Sequence, residues 1–458
     1  MLIINGLVAG EDGAEKTDIR IGGEIICETG PSLLPRENEQ VIDAGGLVVL
    51  PGGLDVHTHM DLDLGSVRAT DDFYTGTVAA ACGGTTTIVD HMAFGPRGCS
   101  IRRQVETYHR LADGKAVIDY GFHGVMDHVD ETILAEVGEL SREGITSHKF
   151  YLTYGGMISD AEALRLMERA CGLGVLLAVH AENDAAVTYL RAKYRALGET
   201  SPVFHARSRP PETEAEAVGR MAMLAATAGD APLYIVHLSS GLGLDVVRAA
   251  RERGQRNLYA ETCPQYLFLD ESLYLREDGL KYIMSPPLRA AKDTEALWGG
   301  VRRGDIDTIG TDHCPFFYSR EKQLGKDDFT LAPGGVPGVE VRMPLMFSRY
   351  VSGEISLGRL VTLCCAEPAR LFGLYPKKGV IEAGSDADLV IIDPSVRTRL
   401  TREMLHENTD YTPYEGLPVT GYPVKTISRG QVIVENGKFT GQAGRGKFLK
   451  RGIPVLSR

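Results

Sequence analysis

The sequence predicts an α/β chain in which a (β/α)₈ TIM-type barrel is inserted into a small β-sandwich built from both chain ends. Three observations lead to this prediction: short apolar strands bounded by glycine near both termini, a long central region of alternating strands and helices, and metal-ligand side chains at the ends of central strands. We expect residues 1–51 and 374–440 to form the sandwich, residues 52–373 the barrel, and residues 441–458 a C-terminal arm.

The central region repeats a strand–helix unit eight times. Its helical stretches carry apolar residues at three- and four-residue intervals, and they are clearest at 160–172, 212–228 and 240–252. The predicted strands are short apolar runs at 53–58, 84–90, 118–125, 145–152, 175–181, 232–238, 257–262 and 307–312. Eight such units in one continuous region favour a closed barrel, which carries its functional residues at the carboxyl ends of its strands.

The two chain ends show a different pattern of apolar residues from the central region. Short apolar runs at 2–4, 18–21 and 46–50 are separated by glycine-rich turns. After residue 373 the same pattern returns, and we predict one strand at the end of 379–393 and another over 424–434. We expect these strands to combine into one small sheet domain.

Composition and charge exclude several classes of protein. A chain of 458 residues with 43% hydrophobic and 24% charged residues is globular and large enough for two domains. A net charge of −12 argues against a nucleic-acid partner, because it would repel phosphate groups. The eight cysteines show no CxxC spacing, and no signal peptide or membrane-spanning run is present, so we expect a cytoplasmic protein with reduced thiols.

The last 18 residues are basic and contain no acidic residue. They are typical of a solvated terminus or of an arm that clasps a neighbouring subunit. We favour the arm, because its apolar side chains need cover. Its basic residues are Arg445, Lys447, Lys450, Arg451 and Arg458, and its apolar residues are Phe448, Leu449, Ile453, Val455 and Leu456.

Two histidines at the end of the first barrel strand indicate a metal site. Residues i and i+2 of a strand point to the same side, about 6.5 Å apart, so His57 and His59 can converge on one cation. Later strands end in His180, His237 and Asp312. Each of these alone is equally typical of a hydrogen-bonded core residue or a loop cap, but together they predict a site for divalent cations of the zinc class.

The motifs at these strand ends resemble those of one enzyme family. The chain is similar to cyclic amidohydrolases of the hydantoinase/dihydropyrimidinase family, and segments 71–77 and 90–96 most resemble the bacterial D-phenylhydantoinase branch. The matching segments are 51–59, 79–87, 179–183, 234–238, 285–287, 311–313 and 384–388.

The resemblance implies two divalent metal ions, zinc or manganese, bridged by Lys149 as N6-carboxylysine. His57, His59 and Asp312 would hold one ion, and His180 and His237 the other. An ordinary lysine, with a pKa near 10.4, is a cation and no ligand, whereas its carbamate is an anion with two ligand oxygens. The resemblance also implies a homotetramer. His148, where the family commonly has phenylalanine, should face away from the site.

The implied reaction is hydrolysis of the ring amide of 5-substituted hydantoins to N-carbamoyl amino acids, with D preference. A hydroxide bridging the metals would attack the carbonyl, Asp312 would relay its proton to the ring nitrogen, and Tyr154 would stabilise the oxyanion. Main-chain groups at Ser285 and Gly334 would bind the ring, although the family usually has asparagine at the second position. The pocket for the ring substituent should be lined by Leu62, Leu64, Phe94, Tyr151 and Ile158.

Related functions remain as alternatives. Dihydropyrimidinase and allantoinase differ from hydantoinase mainly in pocket loops. Dihydroorotase is disfavoured, because those enzymes typically have an arginine just after the paired histidines, whereas this chain continues Met60-Asp61-Leu62. A non-catalytic scaffold of the same fold is disfavoured, because the relatives of that kind have lost metal ligands and this chain keeps all six.

Overall fold

A computed structural model describes residues 1–456. Both chain ends contribute to two packed sheets, as predicted. The N-terminal strands are β1 (Leu2–Ile4), β2 (Leu7–Gly10), β3 (Gly13–Lys16), β4 (Asp18–Gly22), β5 (Ile25–Gly30), β6 (Val41–Asp43) and β7 (Val48–Pro51). A four-stranded sheet has the order β5-β4-β1-β6.

The central region forms eight parallel strands in chain order, which confirms the predicted barrel. They are β8 (Gly53–Thr58), β9 (Thr85–His91), β10 (Asp119–Val125), β11 (Ser147–Tyr151), β12 (Leu176–His180), β13 (Leu233–Ile235), β14 (Leu258–Thr262) and β15 (Thr308–Ile309). The barrel closes where the His59 N–H donates to the His313 carbonyl oxygen at 2.9 Å. The carboxyl ends of all eight strands therefore meet at one rim.

Four C-terminal strands complete the second sheet, with the order β19-β18-β17-β16-β7-β2-β3. They are β16 (Leu389–Arg399), β17 (Pro418–Ser428), β18 (Gln431–Glu435) and β19 (Lys438–Phe439). The prediction of one strand over 424–434 is wrong: Arg429 and Gly430, with φ of 41° and 74°, turn the chain between β17 and β18. Positive φ at two central residues is typical of a tight hairpin turn. Ile3, Ile19, Val49 and Ile391 lie in the apolar layer between the two sheets.

The helices surround the barrel and connect its strands. They are α1 (Thr75–Cys82), α2 (Ile101–Ala112), α3 (Glu131–Arg142), α4 (Asp160–Leu173), α5 (Asp184–Ala196), α6 (Val203–Arg207), α7 (Pro211–Thr227), α8 (Gly241–Glu252), α9 (Pro264–Phe268), α10 (Ala291–Arg303), α11 (Arg342–Val351), α12 (Leu357–Val361) and α13 (Glu367–Leu371). Among residues 1–456, none of these helices combines the length and apolar character that crossing a bilayer requires.

Local sequence signals explain where these elements begin and end. Ser159 caps α4, because its hydroxyl accepts the Glu162 N–H while the Glu162 carboxylate accepts the Ser159 N–H. Gly174 ends that helix at a φ of 67°, a conformation that glycine adopts without strain. Strand β12 then begins at once with an unbroken apolar run, and all five of its residues are buried.

The C-terminal arm packs on the chain's own barrel, and its contact with a second subunit stays a prediction. The Phe448 ring lies 5.3 Å from the Phe122 ring. Arg451 is buried and donates to the Ser147 hydroxyl at 2.9 Å and to the Phe122 carbonyl oxygen at 2.5 Å. Leu456 packs against the side chains inside the barrel. The apolar residues of the arm thus find much of their cover within one chain, while Arg458 lies outside the described residues.

Candidate metal centre

All six predicted metal ligands lie at the carboxyl-end rim of the barrel. Each lies on a barrel strand or within three residues of its carboxyl end, so the closed barrel points their side chains toward one space. They are His57 and His59 at β8, Lys149 on β11, His180 on β12, His237 after β13 and Asp312 after β15.

Four of these side chains converge on one point. His57 Nε2 lies 3.0 Å from Lys149 Nζ and 3.0 Å from Asp312 Oδ1. His59 Nε2 lies 3.1 Å from the same carboxylate oxygen. Two imidazole nitrogens, a carboxylate oxygen and an amine around one position are donors that a zinc-class cation accepts, provided that the amine is modified or neutral.

The other two histidines lie beside this cluster. The His180 and His237 rings are 4.6 Å apart between centroids, and His237 is 5.4 Å from His57. His57, His237 and Asp312 each offer a ligand atom within 4.8 Å of the others. His237 Nδ1 is buried, and within residues 1–456 it has no hydrogen-bond partner. A buried polar atom without a partner costs free energy of folding. The unpaired Nδ1 is therefore consistent with a site in which it binds a cation.

Two buried glutamates orient these ligands, and sequence reasoning did not assign them a role. Glu261 Oε1 lies 2.6 Å from His57 Nδ1, which leaves Nε2 of that ring for the cluster. Glu182 Oε2 lies 2.8 Å from His180 Nε2, which leaves Nδ1 of that ring free. A carboxylate behind a metal-binding histidine is the usual way to fix its tautomer. Glu261 lies near the end of β14 and Glu182 lies two residues after His180. Both are therefore close to the rim in sequence, and this could have predicted a contact with the ligands.

Burial sets protonation states that suit ligation. Burial lowers the pKa of Lys149 to about 8, below that of a free amine, so about a tenth of it is neutral at pH 7. Burial lowers the pKa of His59 to about 4, so its imidazole is neutral. Burial alone would raise the pKa of Asp312, but the imidazoles of His57 and His59 hold it well below its ordinary value. The carboxylate is therefore ionised.

Three residues at this rim have a strained backbone conformation. His237, Asp312 and Tyr154 have φ of 40°, 53° and 72°, in the left-handed region that non-glycine residues seldom adopt. Such conformations persist only where the surroundings enforce them, and they cluster at functional sites.

A cavity of about 980 Å³ opens above the cluster. Its wall includes Leu62, Leu64, Phe94 and Tyr151, four of the five residues predicted for the substituent pocket. Ile158 does not lie on this wall: it is buried in the main core, and its N–H donates to the Tyr151 carbonyl oxygen at 3.1 Å. The backbone of Ile158 thus pairs with Tyr151 while its side chain is buried, and its place in the substituent pocket stays a prediction.

The residues predicted to act on the ring also line the cavity. Tyr154 is 38% exposed, and its ring lies 5.2 Å from the His180 ring. Ser285 and Gly334 lie side by side on the cavity wall, since a Cβ atom on Gly334 would be 3.5 Å from Ser285 Oγ. That is an ordinary contact, so the space at residue 334 does not exclude the asparagine usual in the family.

The comparisons with known proteins agree with this geometry. Residues 48–433 match the model of the amidohydrolase family. The chain belongs to this family. It is also 52% identical over 452 residues, covering 98% of both chains, to a D-phenylhydantoinase of Escherichia coli O1:K1. These matches confirm the resemblance to the hydantoinase/dihydropyrimidinase group.

Solved structures of other amidohydrolases superpose over the whole chain. A dihydropyrimidinase from Brevibacillus agri NCHU1002 is 43% identical with a TM-score of 0.96, and the match covers 100% of this chain and 99% of that one. An L-hydantoinase from Arthrobacter aurescens is 31% identical with a TM-score of 0.90, over 98% of both chains. The amidohydrolase family generally uses a binuclear metal centre, and the six side chains at the rim are suited to one.

Proposed function

We propose that this protein hydrolyses the ring amide of 5-substituted hydantoins to N-carbamoyl amino acids, with preference for the D enantiomer. The observation that carries the proposal is the 52% identity to a D-phenylhydantoinase over 98% of both chains. An apolar wall formed by Leu62, Leu64, Phe94 and Tyr151 suits an aryl or alkyl substituent on the ring.

The proposed cofactors are two divalent ions, zinc or manganese, with Lys149 as N6-carboxylysine. His57, His59 and Asp312 would hold one ion, and His180 and His237 the other. The lowered pKa of Lys149, caused by burial, favours this modification, because the neutral amine is the form that combines with carbon dioxide. When bound, such ions supply hydroxide at neutral pH by lowering the pKa of water from 15.7 to about 7.

Two side chains of the chain itself would move and stabilise charge. Asp312 is ionised and lies at the centre of the cluster, so it can accept a proton and deliver it to the leaving ring nitrogen. Burial raises the pKa of Tyr154, which keeps its hydroxyl protonated and able to donate a hydrogen bond to the carbonyl oxygen as negative charge develops there.

A dihydropyrimidinase is the second candidate function. The structure of a protein named dihydropyrimidinase matches this chain with a TM-score of 0.96, and a cavity of about 980 Å³ accommodates a six-membered ring as well as a five-membered one. Allantoin would be a third cyclic substrate of the same chemistry.

Turnover of the purified, metal-loaded enzyme on four substrates tests the proposal. We expect kcat/KM for D-5-phenylhydantoin to exceed that for the L enantiomer, dihydrouracil and allantoin by at least about tenfold. Tyr154→Phe serves as the mechanistic control and should lower kcat by about 10²-fold with metal content unchanged. Faster turnover of dihydrouracil would favour the second candidate, and turnover of none of the four would refute both.

We also propose a homotetramer, as the family resemblance implies. Light scattering on the purified protein should give four times the chain mass of 49.7 kDa, and the mass of a single chain would contradict it.

A further inference from the structure

Two chain segments form the part of the cavity wall where the ring would bind. Residues 283–285 and 333–335 run side by side, and the Gly335 N–H donates to the Ile283 carbonyl oxygen at 3.1 Å. Ser285, Gly334 and Gly335 face the cavity. Within residues 1–456, the N–H groups of Ser285 and Gly334 have no hydrogen-bond acceptor. Two backbone donors are therefore free at the wall of the cavity.

Lys322 fastens both segments from behind. It is fully buried, and its Nζ donates to the Ile283 carbonyl oxygen at 2.6 Å and to the Pro333 carbonyl oxygen at 2.8 Å. No carboxylate of residues 1–456 lies within 4 Å of this amine. Burial lowers its pKa to about 7, and a neutral amine has two N–H groups, which matches the two carbonyl partners.

His205 fastens the first segment one residue further along. Its Nε2 lies 2.7 Å from the Met284 carbonyl oxygen, and His205 itself is buried at the cavity wall. Because a carbonyl oxygen only accepts, Nε2 carries the proton of this bond. Burial lowers the pKa of His205 to about 3, so a neutral imidazole holds the carbonyl.

The two contacts share one geometric consequence. A trans peptide unit is planar, and its C=O and N–H groups point in opposite directions. The Met284 carbonyl belongs to the same unit as the Ser285 N–H, and the Pro333 carbonyl to the same unit as the Gly334 N–H; neither unit is cis. Holding each carbonyl therefore fixes the direction of the free N–H on the other side of the same peptide unit.

We propose that His205 and Lys322 are a pair of positioning residues that aim the Ser285 and Gly334 N–H groups at the carbonyl and imide oxygens of the ring. A methionine would fill the place of Lys322 without the cost of burying an amine, so a lysine there is poorly explained by packing alone. Backbone donors held in advance bind a rigid cyclic amide without a further ordering cost. This inference rests on the proposed function, since it assigns the ring to this wall.

Steady-state kinetics on D-5-phenylhydantoin with the metal-loaded enzyme test the pair. Lys322→Met and His205→Leu remove the donors, and each should raise KM about tenfold while kcat and metal content stay within about twofold of the wild type. Lys322→Arg and His205→Gln keep a donor near the same carbonyls and should restore most of the KM. If the wild type instead prefers dihydrouracil, the same comparison is made with that substrate.

Gln323→Met is the matched control. Gln323 lies beside Lys322 and donates to the Tyr318 carbonyl oxygen at 2.8 Å, away from both segments, so its loss should leave KM unchanged. Unchanged KM in folded Lys322→Met and His205→Leu would overturn the positioning role, as would failure of all four His205 and Lys322 variants to fold, which would make both residues structural. Inactivity of the wild type on every cyclic amide would instead refute the proposed function.

Discussion

Two buried lysines at opposite sides of the barrel have opposite surroundings. Lys149 at the rim and Lys378 at the junction with the sandwich are each 1% exposed. The nearest polar partner of Lys149 is the imidazole of His57, at 3.0 Å, and no carboxylate of residues 1–456 lies within 4 Å of its amine. Lys378 contacts three carboxylates, Asp119 and Asp388 at 2.6 Å and Asp386 at 2.9 Å.

This difference decides what each amine can do. Burial lowers the pKa of Lys149 to about 8, which makes the neutral, reactive amine accessible. Burial acts in the same direction on Lys378, but its carboxylate partners outweigh it and raise the pKa, so that amine stays an ammonium ion. A buried lysine with no carboxylate in direct contact is available for chemistry, whereas one inside a carboxylate cluster is structural.

The largest expected effect comes from removing the rim lysine. Lys149→Ala should lower kcat/KM for D-5-phenylhydantoin by at least about 10³-fold and reduce bound metal, because the proposed bridging ligand is lost. Metal analysis and kinetics on the same preparation measure both. The surface variant Lys193→Ala should behave as the wild type, and near-normal activity of Lys149→Ala would end the proposed role of Lys149.

Removing the junction lysine should affect stability instead of turnover. Lys378→Met removes the cation that Asp119, Asp386 and Asp388 share and, within residues 1–456, leaves only Asp119 with a second close cationic partner, Arg429 at 3.0 Å, so it should lower the free energy of unfolding by about 3–5 kcal/mol. Chemical denaturation measures the loss. The fraction that remains folded should keep its metal and its kcat. A loss of metal at unchanged stability would contradict the structural role of Lys378.

Modification of the rim lysine should depend on pH. Because the pKa of Lys149 is lowered to about 8 in the metal-free chain, its neutral fraction rises about tenfold per pH unit below that value and levels off above it. At a fixed concentration of dissolved carbon dioxide, the rate at which metal-free protein regains activity with zinc should therefore rise from pH 6 to pH 8 and then flatten. A rate that falls over this range would contradict the lowered pKa.

The smallest effect is expected from the weakest partner of the junction lysine. Asp386 lies 2.9 Å from Lys378 Nζ, but its Oδ2 makes no well-directed hydrogen bond within residues 1–456. Asp386→Asn should cost about 1 kcal/mol of unfolding free energy, clearly less than Lys378→Met. Equal losses in the two variants would show that all three carboxylates are required together.

The fold was largely predictable because hydrophobic periodicity is a local signal. All eight barrel strands and the three clearest helices lie within three residues of their predicted bounds, and the shortest strands, β13 and β15, account for most of the difference. The hairpin at Arg429 and Gly430 was missed, because an arginine gives no sign that it will adopt a positive φ. The apolar residues of the arm indicated a need for cover but not which surface supplies it.

The site was predictable only where one side chain marks its own chemistry. Histidines and an aspartate at strand ends can be recognised as metal ligands from the sequence alone, and so can a lysine in an apolar strand. Glu261, Lys322 and Lys378 do not, because their roles come from partners far away in the chain, such as the contact between Lys378 and Asp119. Asp386 and Asp388 belong to a segment that resembles the family, yet only the structure shows that they surround Lys378.

Peptide mass spectrometry under non-acidic conditions, on metal-loaded enzyme with measured activity, tests the central contrast most directly. We expect the peptide with Lys149 to be heavier by the mass of one carbon dioxide, two metal ions per chain, and an unmodified Lys378. Fully active enzyme with an unmodified Lys149 and no bound metal would contradict the account.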